Sequence, residues 1–228
     1  MMNEPLAYRM RPLKLDDVIG QKHLVGPGMI LRRCVEEKRL FSMIFYGPPG
    51  MGKTTLATVL ANEAGLPYRM FNAVNGTKKD LDALFLEAKL YPGFVLIIDE
   101  VHRLNKDKQD LLLPHVENGS ITLIGATTAN PLHSINPAIR SRCHLFEVKT
   151  LSDKDIMEAV ERAIRSEKGY GNSVTIEKDA LQCIARQSLG DVRYALNLLE
   201  LAVVLSKDKT ITMELLSSIP NVSNQRTS

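Results

Sequence analysis

Two short stretches hold residues whose types and spacing suit phosphate chemistry. The first is YGPPGMGKTT, residues 46–55, in which Gly47 is followed after four residues by Gly52, Lys53 and Thr54. That spacing fits a loop whose backbone N–H groups cradle phosphates, with the lysine reaching the terminal ones and the threonine hydroxyl completing the shell of a magnesium ion. Glycine serves because the backbone must turn through positive φ and approach a ligand with no Cβ in the way. The whole run from Gly47 through Pro48, Pro49, Gly50, Met51, Gly52, Lys53, Thr54 and Thr55 is the candidate nucleotide-binding segment. The second stretch is Asp99-Glu100 at the end of the most apolar run in the chain. An aspartate there suits Mg2+, held jointly with Thr54, and a following glutamate suits orientation and polarisation of an attacking water.

Such residues act only if the fold delivers them to one place. Met43 to Tyr46 reads as a short buried strand and Thr54 to Glu63 carries helical spacing, so strand, glycine loop and helix follow in the required order. A helix start also brings its partial positive charge to bound phosphate. Further strands are expected at Tyr68–Phe71, Phe94–Ile98, Ile121–Ala126 and His144–Val148, with helices near Asp80–Lys89 and Lys106–Glu117. Pro114 is expected to kink or divide the latter. Alternating strands and helices with continuous apolar runs predict an α/β fold, a P-loop NTPase three-layer parallel sheet core. Asp99 and Glu100 then stand at the carboxyl edge of the sheet, where open α/β folds bind ligands.

Beyond about residue 150 helical periodicity takes over, at Asp153–Glu167, Ile176–Gln187 and Asp191–Ser206, with Ser152 and Asp191 as expected caps. The expected organisation is a core over residues 1–150, a small all-helical lid over 151–220 and a polar, fraying tail over 221–228. The 228 residues carry a net charge of +3, with 44% hydrophobic and 24% charged, an ordinary globular balance that permits nucleic acid without demanding it. The three cysteines are far apart, in no metal or disulfide pattern, and imply a reducing interior. No stretch approaches a membrane span. A cytoplasmic, nucleoid-associated location is expected.

Thr77-Lys78-Lys79-Asp80 matches the form of a guanine-recognition stretch, yet it precedes Asp99 instead of following it, so ATP is the expected nucleotide. The histidines show no ligand spacing. Cys143 has no identifiable base and reads as a packing residue. Arg9 and Arg11 either steady the N-terminal segment over the nucleotide or point into solvent. Lys78, Lys79, Lys106, Lys108, Arg162, Arg165 and Lys168 offer a basic track, but acids are interleaved and no aromatic row accompanies them.

The chain resembles the AAA+ ATPases of the clamp-loader group, and within it the replication-associated recombination protein A family, relatives of the Werner helicase-interacting protein. The resemblance is carried by LAYRMRPLKLDDVIGQKHLVG (6–26), YGPPGMGKTT, LIIDEVHRLNKDKQDLLLPHVENG (96–119), IGATTANP (124–131), NPAIRSRC (136–143) and GDVRYALNLLE (190–200). It implies that Val18 and Ile19 lie against adenine. Thr128, with Asn130 as rival, would be the polar sensor at the tip of the fourth strand. Arg142 would be an arginine finger for a neighbouring subunit's ATP, with Arg140 the nearby decoy. Arg193, in the first turn of a lid helix, would contact the γ-phosphate of its own subunit. The resemblance further implies ATP hydrolysis in a homo-oligomer. It points to replication-fork maintenance, recombination and repair at DNA ends or single-strand gaps, alongside single-strand-binding protein and replication factors. Relatives continue into a further helical region that mediates assembly. Two rival readings stand beside this one. The first is a nucleotide-gated switch that binds DNA or a partner and hydrolyses little. The second is a DExH-like helicase fragment suggested by Asp99-Glu100-Val101-His102, a type that needs a second motor domain.

Overall fold

A computed structural model describes residues 3–222. They form two compact units, one spanning Pro12–Lys149, the other joining the residues up to Arg11, including helix α1 (Leu6–Arg9), to those from Thr150 onward.

The larger unit begins with a 3-10 turn (Leu15–Asp17) and helices α2 (Lys22–Val25) and α3 (Ile30–Glu36). It continues as β1 (Met43–Tyr46), α4 (Lys53–Glu63), β2 (Tyr68–Asn72), α5 (Lys78–Leu90) and β3 (Val95–Asp99). After a second 3-10 turn (Val101–Arg103) come α6 (Lys106–Glu117), β4 (Thr122–Thr127), α7 (Pro131–Ser134), α8 (Pro137–Arg140) and β5 (His144–Glu147). The strands make one parallel sheet in the order β2-β3-β4-β1-β5. Alternation along the strands feeds two cores. Met43, Phe45, Val95, Ile97 and Ile124 pack with Leu56 and Leu60 of α4 and Leu31 of α3. Ile44, Leu96, Ile98 and Leu123 pack with Leu81 and Phe85 of α5 and Leu112 of α6. Each such side chain removed from water contributes roughly 1.5–3 kcal/mol, which makes the central strands the rigid frame of the molecule.

Three expectations are corrected. Pro114 does not divide α6, which runs unbroken from Lys106 to Glu117. Pro114 and Asp110, whose carbonyl loses its helical donor, are both exposed, so water can answer that oxygen. The loop expected around Pro131 and Pro137 contains α7 and α8, each started by an asparagine cap, Asn130 or Asn136, with proline as its first residue. Residues 3–11, assigned to the core by sequence order, group with the helical unit. There Leu6 is fully buried, its N–H donates to Glu200 Oε2 at 3.0 Å, and Arg9 Nη1 donates to the Lys168 and Gly169 carbonyls at 3.1 and 3.3 Å. Arg9 is therefore an anchor of α1, while Arg11 lies over the Tyr8 ring.

The helical unit contains α9 (Asp153–Arg165), α10 (Lys178–Ser188), α11 (Val192–Leu205) and α12 (Met213–Ser217), with a two-residue parallel ladder between β6 (Thr175–Ile176) and β7 (Thr210–Ile211). Ser152 and Asp191 cap α9 and α11 through their side chains, as the sequence predicts. Of the tail expected to fray, residues 223–228 lie outside the described residues. Val222 is packed, only 5% exposed, and its carbonyl accepts from Gln187 Nε2 at 3.0 Å. Among the described residues no helix is long and apolar enough to cross a membrane.

Candidate nucleotide site

The loop from Gly47 to Gly52 joins β1 to α4 at the carboxyl edge of the sheet. Gly47 has φ 154°, and a Cβ there would collide with the Val148 carbonyl oxygen, so only glycine allows the loop to leave the sheet at this point. Gly52, at φ 75°, is the N-cap of α4. This cap offers no side-chain hydrogen bond, and the first turn of α4 carries no acidic residue. The N–H groups of that turn therefore have no acceptor from the helix's own sequence, and the helix dipole adds positive potential to them. Lys53 is only 8% exposed, and its ammonium donates to the Gly47 and Pro48 carbonyls at 2.9 and 2.7 Å, leaving one N–H to spare. Burial pushes its pKa below the ordinary lysine value, and the nearby Asp99 carboxylate pulls it partly back. The site combines the free N–H groups of a helix start with a buried cation, which suits a polyanion.

Asp99, the last residue of β3, is exposed; its Oδ1 accepts the Glu100 N–H at 2.9 Å. Glu100 takes the left-handed conformation, φ 49° and ψ 47°, and its carboxylate stands 3.7 Å from Arg103. The Thr54 hydroxyl has no hydrogen-bond partner among the described residues, and its carbonyl accepts from Thr58. Lys53, Asp99 and Glu100 thus come together at one edge, with Thr54 at the adjacent start of α4. Both sensor candidates follow the tip of β4. Thr128 is exposed, whereas the Asn130 side-chain oxygen is taken by the Leu132 N–H at 3.0 Å as the cap of α7.

Val18 and Met51 of the loop each pack against the same core, and Ile19 is half-buried. Two residues further along the chain is one that sequence reasoning missed. Gln21 is 6% exposed and clamps the Lys149 backbone from both sides, Nε2 donating to the carbonyl at 2.7 Å and Oε1 accepting the N–H at 2.9 Å. The chain takes two consecutive positive φ values at Gly20 and Gln21 on its way into the clamp, and nothing local in the sequence marks Lys149 as the partner.

Arg142 is not brought to the phosphate loop of its own chain. It precedes His144, which pairs with Met43 at the opposite, amino edge of the sheet. Its guanidinium is exposed, ion-paired with Glu117 at the end of α6, and donates to the Ala138 carbonyl at 2.7 Å and Ser141 Oγ at 3.0 Å. Arg140 instead is spent locally on the Leu132 carbonyl at 2.7 Å. Arg193 is exposed in the first turn of α11, in the helical unit. Burial pushes the Cys143 thiol up to about 12, so no thiolate is available there.

Replication-associated recombination protein A of Bacillus subtilis is 54% identical to this chain over 207 residues, covering 90% of the chain and 49% of that protein. The chain belongs to the replication-associated recombination protein A family of AAA+ ATPases. The namesake from Escherichia coli strain K12 is 42% identical over 204 residues, and ATPase WRNIP1 of Dictyostelium discoideum 36% over 210, covering 46% and 24% of those proteins. The chain spans about half the length of the bacterial family members it matches. The family model for the Holliday junction DNA helicase RuvB P-loop domain matches residues 10–137. A solved structure of the Thermotoga maritima RuvB Holliday junction branch migration motor agrees with a TM-score of 0.78 at 30% identity, covering 91% of this chain and 70% of that one.

Proposed function

We propose that this chain binds ATP with magnesium and hydrolyses it, as the nucleotide-driven part of a protein acting in replication-fork maintenance, recombination and repair. The observation that carries the reading is the acid-free start of α4, with no side-chain cap and with Lys53 buried against the loop carbonyls, beside the exposed carboxylates of Asp99 and Glu100. Lys53 and the α4 N–H groups hold the phosphates, while Val18 and Ile19 lie against adenine. Thr54 and Asp99 are the ligands for Mg2+, which when bound neutralises developing charge on the phosphates. Glu100 orients the water. Thr128 is the better sensor, because Asn130 is committed to its cap. Arg193 reports the γ-phosphate from the lid.

Arg142, at the far edge from its own loop, serves a neighbouring subunit in a homo-oligomer. A finger of this kind changes rate by about 10³ to 10⁵. Lys78 and Lys79 at the start of α5, with Lys106 and Lys108 at the start of α6, provide a basic surface for DNA ends or single-strand gaps. Single-strand-binding protein and replication factors are the proposed partners, in the cytoplasm at the nucleoid. A second reading, a switch that hydrolyses little, is favoured by the Arg103 guanidinium 3.7 Å from the Glu100 carboxylate, an ion pair that competes with the orienting of a water.

The test is ATP turnover against protein concentration, with and without single-stranded or branched DNA. Turnover per chain should rise with concentration, and Arg142→Ala should abolish it while calorimetry still shows ATP binding. Turnover strictly proportional to concentration and indifferent to Arg142→Ala would overturn the shared site. Trapping of ATP by Glu100→Gln, where the unaltered chain turns it over, excludes the switch.

A further inference from the structure

Thr127 is the last residue of β4, 1% exposed, and it touches all three loops of the candidate site. Its carbonyl accepts the Gly47 N–H, the first of the phosphate loop, at 3.3 Å. Its Oγ1 accepts the Ala129 N–H, in the loop that carries Thr128, at 3.0 Å. The same Oγ1 lies 2.7 Å from Nδ1 of His102, in the turn that follows Glu100. The Ala129 bond uses the hydroxyl as an acceptor only, and His102 is the second polar partner within reach of this buried group. The contact falls beside a left-handed residue, since Glu100 has φ 49° and ψ 47° despite its Cβ, a conformation that costs a side-chain-bearing residue free energy.

We propose that Thr127 and His102 are a positioning pair that fixes the Glu100 turn to the tip of β4, so that Glu100 and Thr128 keep one separation when nucleotide binds. The inference rests on the ATPase reading of the site. With one lone pair taken by Ala129, Oγ1 keeps its hydrogen and one further lone pair, and the tautomer of His102 decides which of them meets Nδ1; in the pair as proposed the hydroxyl donates to Nδ1 and the imidazole carries its hydrogen on Nε2. Neither residue touches phosphate; both act through Glu100.

Thr127→Val keeps the shape and removes the hydroxyl. Displaced catalytic groups lose on the order of 10- to 100-fold in rate. In Thr127→Val the kcat for ATP hydrolysis should fall by about that factor, with the Kd for ATP measured by calorimetry essentially unchanged. Thr127→Ser should restore most of the rate. A second readout needs no catalysis. Long-range ¹⁵N spectra of the imidazole should show His102 with hydrogen on Nε2, and a mixture of tautomers in Thr127→Val. The proposal is overturned by an unchanged kcat, by a loss of ATP affinity as large as the loss of rate, or by hydrogen on Nδ1 in the unaltered chain. Should the unaltered chain hydrolyse no ATP, the ATPase reading fails, and the tautomer measurement still decides whether the pair exists.

Discussion

Helices α4 and α5 start at the same edge of the same sheet, each after a parallel strand, and their first turns are built in opposite ways. In α5, Thr77 Oγ1 accepts the Asp80 N–H at 3.1 Å and Asp80 Oδ2 accepts the Thr77 N–H at 2.9 Å, so the end is closed by its own side chains. In α4 the cap is glycine, the first turn has no carboxylate, and a buried cation lies where an anion would otherwise be welcome. One end is finished by local sequence and the other awaits a ligand. A binding site shows here as the stabilisation that the neighbouring element has and this one lacks. The comparison also disposes of the guanine-recognition resemblance at Thr77-Lys78-Lys79-Asp80, because both polar ends of that stretch are consumed by the capping box.

The largest effect that could break this contrast is at Lys53. Replacing it by methionine should lower ATP affinity by roughly 100-fold or more, the scale for removing one partner of a desolvated charge pair. Without nucleotide the same variant should melt no lower than the unaltered chain, since burial already disfavours the ammonium and a packed apolar side chain carries no such cost. Calorimetry and thermal melts with and without ATP separate the two. A melting point that collapses without nucleotide would mean that Lys53 is structural. Next in size is Gly47→Ala, which forces a Cβ towards the Val148 carbonyl. It should cost on the order of 2 kcal/mol in denaturant unfolding and weaken nucleotide binding as well. A neutral outcome would show that the loop has room to relax.

What was legible in the sequence follows the range of the interactions that fix it. The central strands were visible because both faces of the sheet are covered, which leaves uninterrupted apolar runs such as Val95 to Ile98. The phosphate loop was visible because its conformation depends on glycines within a few residues. The caps at Ser152 and Asp191 were equally local. The grouping of residues up to Arg11 with the helical unit was invisible, since it depends on Leu6 meeting Glu200 and Arg9 meeting Lys168 and Gly169. The Gln21 clamp on the Lys149 backbone and the contact of the Thr127 and His102 side chains are of the same kind, bonds that span 128 and 25 positions. Helices α7 and α8 did carry a local signal, asparagine followed by proline, which reads equally as a turn until the cap bond is seen.

A smaller effect sharpens the contrast from the side of α5. Thr77→Ala removes the hydroxyl cap and should cost about 1 kcal/mol, lowering Tm by roughly 2–4 °C for a chain of this size. ATP affinity should not move. If nucleotide binding weakened along with stability, the two helix starts would be coupled, and the division between a finished end and a waiting one would fail.

The smallest effect is in the pH dependence of the same cap. Asp80 is held below its ordinary value of 3.8, first by the Thr77 backbone N–H and then by the Thr77 side chain, with Lys79 and Lys108 adding attraction. A folded-state pKa below the unfolded one means that the unfolded chain takes up the proton first as pH falls. The stability that Asp80 contributes is therefore complete above about 3.8 and is lost as pH falls from there through the lower folded value. Melting curves of the unaltered chain and Asp80→Asn should differ by a constant offset from pH 7 down to about 5, then converge in acid. Added salt should trim the lysine share and leave the share from the hydrogen bonds. Curves that diverge towards acid would reverse the sign of the argument, and the α5 start could no longer be described as an end satisfied by its own charge.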